Sequence, residues 1–341
     1  MARLPRAGRA ALLAGGLACL SAARAHAGRL GLCATAAGRS APPYLAVVSA
    51  FPAELAPIVA ASAIERTVQI GSRPFYVGRL GGVNVLLGLT GIGPVNATAT
   101  ARAVLARRDV AGLVMSGTAG TKHDIGDVVL ASDLVEPGRR GVFHPNPALV
   151  ALARRAATAL PEPLAQCTLV PPGSPTATTV CMLFAPVVRF GGEAQTVDPF
   201  NGMAFPCTRG GGEIFGCELP APAPAQFAAP AAAGPRPLSI TTVDVEDNES
   251  AAVARVATRR HVPFLAVRAG SDGGGDPKGD RGFPAQFFDY YRLAAHNAGD
   301  LTRAIVTALG RLPENPSGRR TCRLLAQRRW RGAAQRIDHG K

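Results

Sequence analysis

Short apolar runs alternate with longer segments in which apolar residues recur at helical spacing, from Tyr44 nearly to the end of the chain. YLAVVSA (44–50) is a run of the first kind and reads as a buried strand. PAELAPIVAASAIER (52–66) is of the second kind and predicts a helix with Pro52 in its first turn. The same alternation gives a strand at GGVNVLLGLT (81–90), a GIGP turn, and a helix over VNATATARAVLARR (95–108). A strand at VAGLVMSG (110–117) is followed by a TAG turn, then by a further strand at GDVVLASDLV (126–135) and a helix over PALVALARRAATAL (147–160). The last third repeats the scheme: strand LSITTVDV (238–245), helix NESAAVARVATRR (248–260), strand VPFLAVRAG (262–270) and a long helix from Pro284 to Leu309. Such alternation predicts an α/β fold of three layers, with helices on both faces of a central mixed sheet. No internal repeat is apparent.

Three segments break the pattern. Residues 1–27 run from a basic start through AALLAGGLACLSAA to AHA, which is the layout of a secretory signal with cleavage after Ala27. A small-residue leader, 28–43, then precedes the domain at 44–312. Within that domain, 160–235 is rich in Pro, Gly and Ala and reads as an irregular insertion. Four of the chain's seven cysteines lie there: Cys167, Cys181, Cys207 and Cys217. In an exported chain they read as two disulfides, with three possible pairings, and the expected location is secreted or periplasmic. Zinc is the weaker reading, since no CxxC pair supports it.

The formal charge of +14 is concentrated at the ends. Four arginines lie in the signal, and the tail, 313–341, is strongly basic. Little positive charge is left for the body, so a nucleic-acid groove is not expected. No apolar stretch beyond the N-terminus is long enough to span a membrane.

The predicted strand ends carry the chemistry, because ligands of open α/β sheets sit at the carboxyl ends of strands. Glu54 lies just past the first strand and Gly93 past the second. Thr118, Ala119 and Gly120 follow the third. Asp247, Asn248 and Glu249 follow a later strand, and Ser271 and Asp272 close the last. GIGPVN lacks the third glycine of a dinucleotide fingerprint, holding Asn96 there, and no acid at the next strand end would hold a ribose.

Taken in order, SAFPAEL, TGIGPVNATATA, SGTAGTKHDIGDVVLA, NESAAVARVATRRHVPFLAVRAGSD and FFDYYRLAAHNAGDLTRAIV resemble the purine nucleoside phosphorylase and nucleosidase superfamily. The likeness is greatest to the methylthioadenosine/S-adenosylhomocysteine nucleosidases and the related plant storage proteins, and it covers 44–135 and 238–308. It implies the phosphorylase/hydrolase-like fold and hydrolysis of a purine nucleoside with protonation of the leaving base. It implies Asp272 as the acid at purine N7, Glu54 as the carboxylate that orients water, and Glu249 as the ligand of the ribose diol. It also implies that Gly93, Thr118, Ala119, Gly120 and Ser271 line the substrate. Asn248 stands where the nucleosidases carry a methionine, a departure that puts the methylthio substrate in doubt. Phosphorylases of the superfamily place an arginine where this chain has Met115, which leans towards hydrolysis. Phosphorolysis, with phosphate as co-substrate and a cation such as Arg268 or one from a partner subunit, is the alternative. A secreted binding or storage protein of the same fold is another. No metal or organic cofactor is implied, and a homo-oligomer is expected.

Overall fold

A computed structural model describes residues 43–222 and 243–312. The predicted signal, the leader before Pro43, the Ala/Pro-rich stretch 223–242 and the basic tail lie outside the described residues. Fourteen strands and six helices are described, twelve of the strands in one mixed sheet.

The centre of the sheet is parallel. Strand β1 (Tyr44–Ser49) pairs on one side with β4 (Val83–Leu89) and on the other with β5 (Val110–Asp124). Strand β14 (Phe264–Gly274) runs parallel to β5 on that strand's far side. These strands are buried on both faces, which is why they read as continuous apolar runs. Side chains of β1 alternate between two cores. Leu45 and Val47 pack with Leu55 and Ile58 of α1 (Pro52–Ala60), Leu152 of α3 (Pro147–Ala157) and Leu301 of α6 (Ala285–Gly310). Ala46 and Val48 pack with Ala97 and Val104 of α2 (Pro94–Leu105) and Val253 of α5 (Ser250–Arg259). The expected three layers are therefore present.

Several local expectations are corrected. The first helix stops at Ala60 rather than running to Arg66, because the chain turns into β2 (Ala63–Ile70), which forms an antiparallel hairpin with β3 (Arg73–Leu80). That hairpin is an exposed edge, and polar residues between its apolar ones hid it. TAG is not a turn: β5 continues unbroken through Thr118, Ala119 and Gly120 to Asp124, held by β14 and β13 (Val243–Asp247). The single strand expected at 126–135 is two, β6 (Val128–Leu130) and β7 (Asp133–Val135).

The segment 160–235 carries regular structure that its composition conceals. Strands β11 (Val188–Phe190) and β12 (Glu193–Thr196) join the main sheet, beside β6 and between β13 and β7 respectively. Strands β9 (Cys167–Val170) and β10 (Thr178–Cys181) form a separate hairpin closed by a Cys167–Cys181 disulfide. A second disulfide, Cys207–Cys217, closes the loop that carries the short α4 (Gly212–Phe215). Among the described residues no helix is long and apolar enough to cross a membrane.

Candidate active site

Glu54 is placed by the start of α1. It is the third residue of the helix and turns back past the N-cap residue Phe51 to accept the Ala50 N–H on Oε2 at 2.7 Å. Its other oxygen, Oε1, accepts the Thr118 N–H at 2.6 Å and the Thr118 hydroxyl at 3.0 Å. The side chain is buried, not an exposed helix charge. Burial pushes its carboxyl above the ordinary carboxylate range, against the opposing pull of Arg268 and of the Thr118 and Ala50 N–H groups.

Glu249 precedes α5 and is held from two sides. Oε1 accepts the Gly93 N–H at 2.8 Å, and Oε2 accepts from Arg268 Nη2 at 3.0 Å. Gly93 caps α2 with φ of 93°, a left-handed conformation that favours glycine. A Cβ there would also meet the Phe200 ring at 2.7 Å. Burial pushes the Glu249 carboxyl up to about 7; Arg268 opposes the rise, and the neighbouring Asp247 and Glu54 add to it.

Arg268 is the hub. It is 1% exposed and sits in β14 in register with Gly117 of β5. A Cβ at 117 would lie 2.5 Å from both Arg268 Nη1 and Glu54 Oε1, so glycine makes room for the ion pair. Arg268 Nε donates to Ser250 Oγ at 2.9 Å, and Nη1 donates to the Thr118 carbonyl at 3.2 Å. Asp247 Oδ2 lies 2.9 Å from Nε and Glu54 Oε1 lies 3.8 Å from Nη1. Burial alone would lower the pKa of this guanidinium, but the three carboxylates override it and hold the group above its usual value. The other oxygen of Asp247 accepts the Thr196 hydroxyl at 2.7 Å and the N–H groups of Glu249 and Ser250 at 3.0 Å. It thereby caps the turn that leads into α5.

Asp272 follows at the end of β14, where Ser271 Oγ donates to its Oδ1 at 2.9 Å. Burial raises its pKa and the serine hydroxyl lowers it, with a net upward shift. Its Oδ2 lies 2.9 Å from where a Cβ at Gly120 would stand.

These groups face one cavity of about 490 Å³. Glu54, Thr118, Ala119, Gly120, Asn248, Glu249, Ser271 and Asp272 all line it. Gly93 does not line it, and acts through its N–H on Glu249. The Asn248 amide, oriented to satisfy both its ends, donates to the carbonyls of Val197 and Asp247. Asp247 and Glu246 add two further acids to the lining, and among the described residues no lysine or arginine lines it. Arg268, considered above as a cation for phosphate, lies behind the carboxylates and is committed to them.

Sequence reasoning did not give Asp247 or Arg268 these places. The signal for Arg268 was present: a lone charge inside an apolar strand run, FLAVRAG. The aromatic wall was also missed. Phe51, Phe200, Phe205 and Phe287 line the cavity, and two of them come from the segment expected to be irregular. Among the described residues no group of three or more His, Cys, Asp or Glu side chains is arranged to hold a metal ion.

The site lies on a fold that is widely shared. The family model of the phosphorylase superfamily matches residues 44–307, and the chain belongs to that superfamily. An uncharacterized protein of Mycobacterium tuberculosis is 33% identical over 194 residues, spanning 50% of this chain and 74% of that protein. Among solved structures, the 5′-methylthioadenosine/S-adenosylhomocysteine nucleosidase of Neisseria meningitidis superposes with a TM-score of 0.53 at 21% identity, over 78% of this chain and 99% of that one. The corresponding nucleosidase of Colwellia psychrerythraea gives 0.54 at 19%, over 79% and 96%. Futalosine hydrolase of Helicobacter pylori gives 0.51 at 16%, over 77% and 97%.

Proposed function

We propose that this chain is a nucleosidase that hydrolyses the N-glycosidic bond of a purine nucleoside. The observation that carries this reading is the charge of the cavity. Five carboxylates line it and, among the described lining residues, no cation does. A phosphate dianion needs fixed donors of positive charge, and the one buried guanidinium nearby is held by Glu54, Asp247 and Glu249. Water needs no cation, and a ribosyl fragment with oxocarbenium character is stabilised by surrounding anions.

Each acid has a role suited to its setting. Glu54 takes a proton from water as the oxygen bonds to C1′. The glycosidic bond breaks with its electron pair moving to the purine, and Asp272 supplies a proton at N7. Burial shifts Asp272 upward, the direction that suits a proton donor. Glu249 accepts from the ribose hydroxyls with the lone pairs that Gly93 and Arg268 leave open. The products are free base and free ribose, and no cofactor enters the balance. The enzymes named above that act on methylthioadenosine, S-adenosylhomocysteine and futalosine support a nucleoside as substrate.

The test is base release from adenosine, inosine, methylthioadenosine and uridine, each with and without phosphate. Release from a purine nucleoside without phosphate, and none from uridine, is the expected result. Release only with phosphate would replace hydrolysis by phosphorolysis. Binding without release would make the chain a carrier of the same fold.

A further inference from the structure

A second cavity, of about 450 Å³, lies between the C-terminal ends of α3 and α6, and its charge is the reverse of the first. Arg155, Arg303 and Arg311 line it, and among the described lining residues there is no acid. Leu152, Ala156 and Ala304 supply its apolar part and pack into the core below. Arg303 donates to Asp300 at 3.2 Å, and Asp300 also holds His296 at 3.1 Å. Arg155 and Arg311 are exposed and, among the described residues, make no ion pair. Guanidinium groups gathered around one groove repel one another, and a bound anion relieves that repulsion. The apolar surface beside them suits an anion that brings hydrocarbon of its own.

The course of the chain points the same way. Leu312 lines the groove and is the last described residue before the basic tail. Residues 313–341 hold seven arginines and Lys341 against Glu314 and Asp338. Among them stand Leu324, Leu325 and the chain's one tryptophan, Trp330. Arginines interspersed with large apolar residues are the composition of segments that adsorb to anionic membranes. Charge alone would suit nucleic acid as well, but the apolar residues of the tail and of the groove favour lipid.

We propose that the α3–α6 groove, with the tail that leaves from it, docks the protein on a surface of anionic phospholipid. Headgroup phosphates meet Arg155, Arg303 and Arg311, and the apolar part of the groove meets the acyl boundary beneath them. The proposal stands apart from the nucleosidase reading. Phe287, which lines the candidate active site, and Arg311 lie at opposite ends of α6, about 36 Å apart along its axis at roughly 1.5 Å per residue. A membrane seated on the groove therefore does not have to cover that site.

The experiment mixes the full chain with vesicles of phosphatidylcholine alone and with vesicles of equal parts phosphatidylcholine and phosphatidylglycerol, and measures the bound fraction by vesicle sedimentation. Wild type is expected to bind the mixed vesicles and not the neutral ones. An arginine near an anionic surface contributes about fivefold to partitioning. Arg155→Gln/Arg311→Gln should therefore bind about 25-fold more weakly, with an unchanged melting temperature because both side chains are exposed. The control is Arg259→Gln/Arg260→Gln, which removes the same charge from exposed positions at the end of α5, in the layer across the sheet, and should keep most of the binding. Equal binding of wild type to both kinds of vesicle, or none to the mixed ones, would overturn the proposal. Wild-type binding by the groove variant, or an equal loss in the control, would assign the effect to the tail or to net charge and overturn the groove's part. Stronger binding to a DNA duplex of arbitrary sequence than to the mixed vesicles would replace the membrane by nucleic acid.

Discussion

Glu249 accepts the backbone N–H of Gly93 at 2.8 Å across 156 positions of sequence. This bond joins the start of α5 to the turn before α2 and fixes one carboxylate oxygen at the cavity wall. The other oxygen is fixed by Arg268. The acid is thus positioned before any ligand arrives, which lowers the cost of binding one.

Its ionisation should be visible in catalysis. Burial pushes Glu249 up to about 7, and only the carboxylate form accepts from two hydroxyls. The rising limb of kcat/KM is therefore expected near pH 7, and Glu249→Gln should remove that limb along with most of the activity. The stability effect has the opposite direction. A carboxyl whose folded pKa is raised binds its proton more tightly when folded, so its contribution is full below the unfolded value of about 4.5 and is lost as pH rises through about 7. Melting temperatures of the wild type should fall over that window more steeply than those of Glu249→Gln. Equal slopes would contradict the shift.

Gly117→Ala tests the packing behind the acids. The added methyl would stand 2.5 Å from Arg268 Nη1 and from Glu54 Oε1. Neither can retreat, because Glu54 is held by Ala50 and Thr118, and Arg268 by Ser250 and Glu249. A loss of about 1–3 kcal/mol in urea unfolding is expected, with base release reduced further as Glu54 is displaced. Wild-type stability and rate in this variant would mean the ion pair sits elsewhere.

Arg268→Met removes the cation and leaves three buried carboxylates facing one another. A loss of about 3–5 kcal/mol at neutral pH is expected, as for other broken buried ion pairs. The deficit should shrink towards pH 5, where protons can replace the missing charge. Unfolding curves at the two pH values check this; a pH-independent deficit would assign Arg268 to packing alone.

The layered fold was legible because its central strands are buried on both faces and its helices have one apolar side. The edge hairpin β2–β3 was not, since an exposed edge keeps polar residues in its pattern. Of the candidate site, the convergence of Glu54, Glu249 and Asp272 on one cavity was legible because the carboxyl ends of neighbouring strands open on the same edge of the sheet. Asp247 was named with them but not distinguished, and its place beside Arg268 depends on the register of β14 with β5, which pairing sets and composition does not. The aromatic wall was illegible for another reason. Phe200, Phe205 and Phe215 lie in a Gly- and Pro-rich stretch without periodicity, where the Cys207–Cys217 bond closes the loop that carries Phe215 and Asn96 holds the Phe205 carbonyl.

The most direct measurement of the central claim is release of free adenine from adenosine in phosphate-free buffer by wild type and by Asp272→Asn. Wild type should release it, and the variant, which keeps the shape but loses the transferable proton, should be slower by about 10²–10⁴-fold with an unchanged melting temperature. Equal rates in the two proteins would contradict the account, because the carboxylate at the end of β14 would then be no acid.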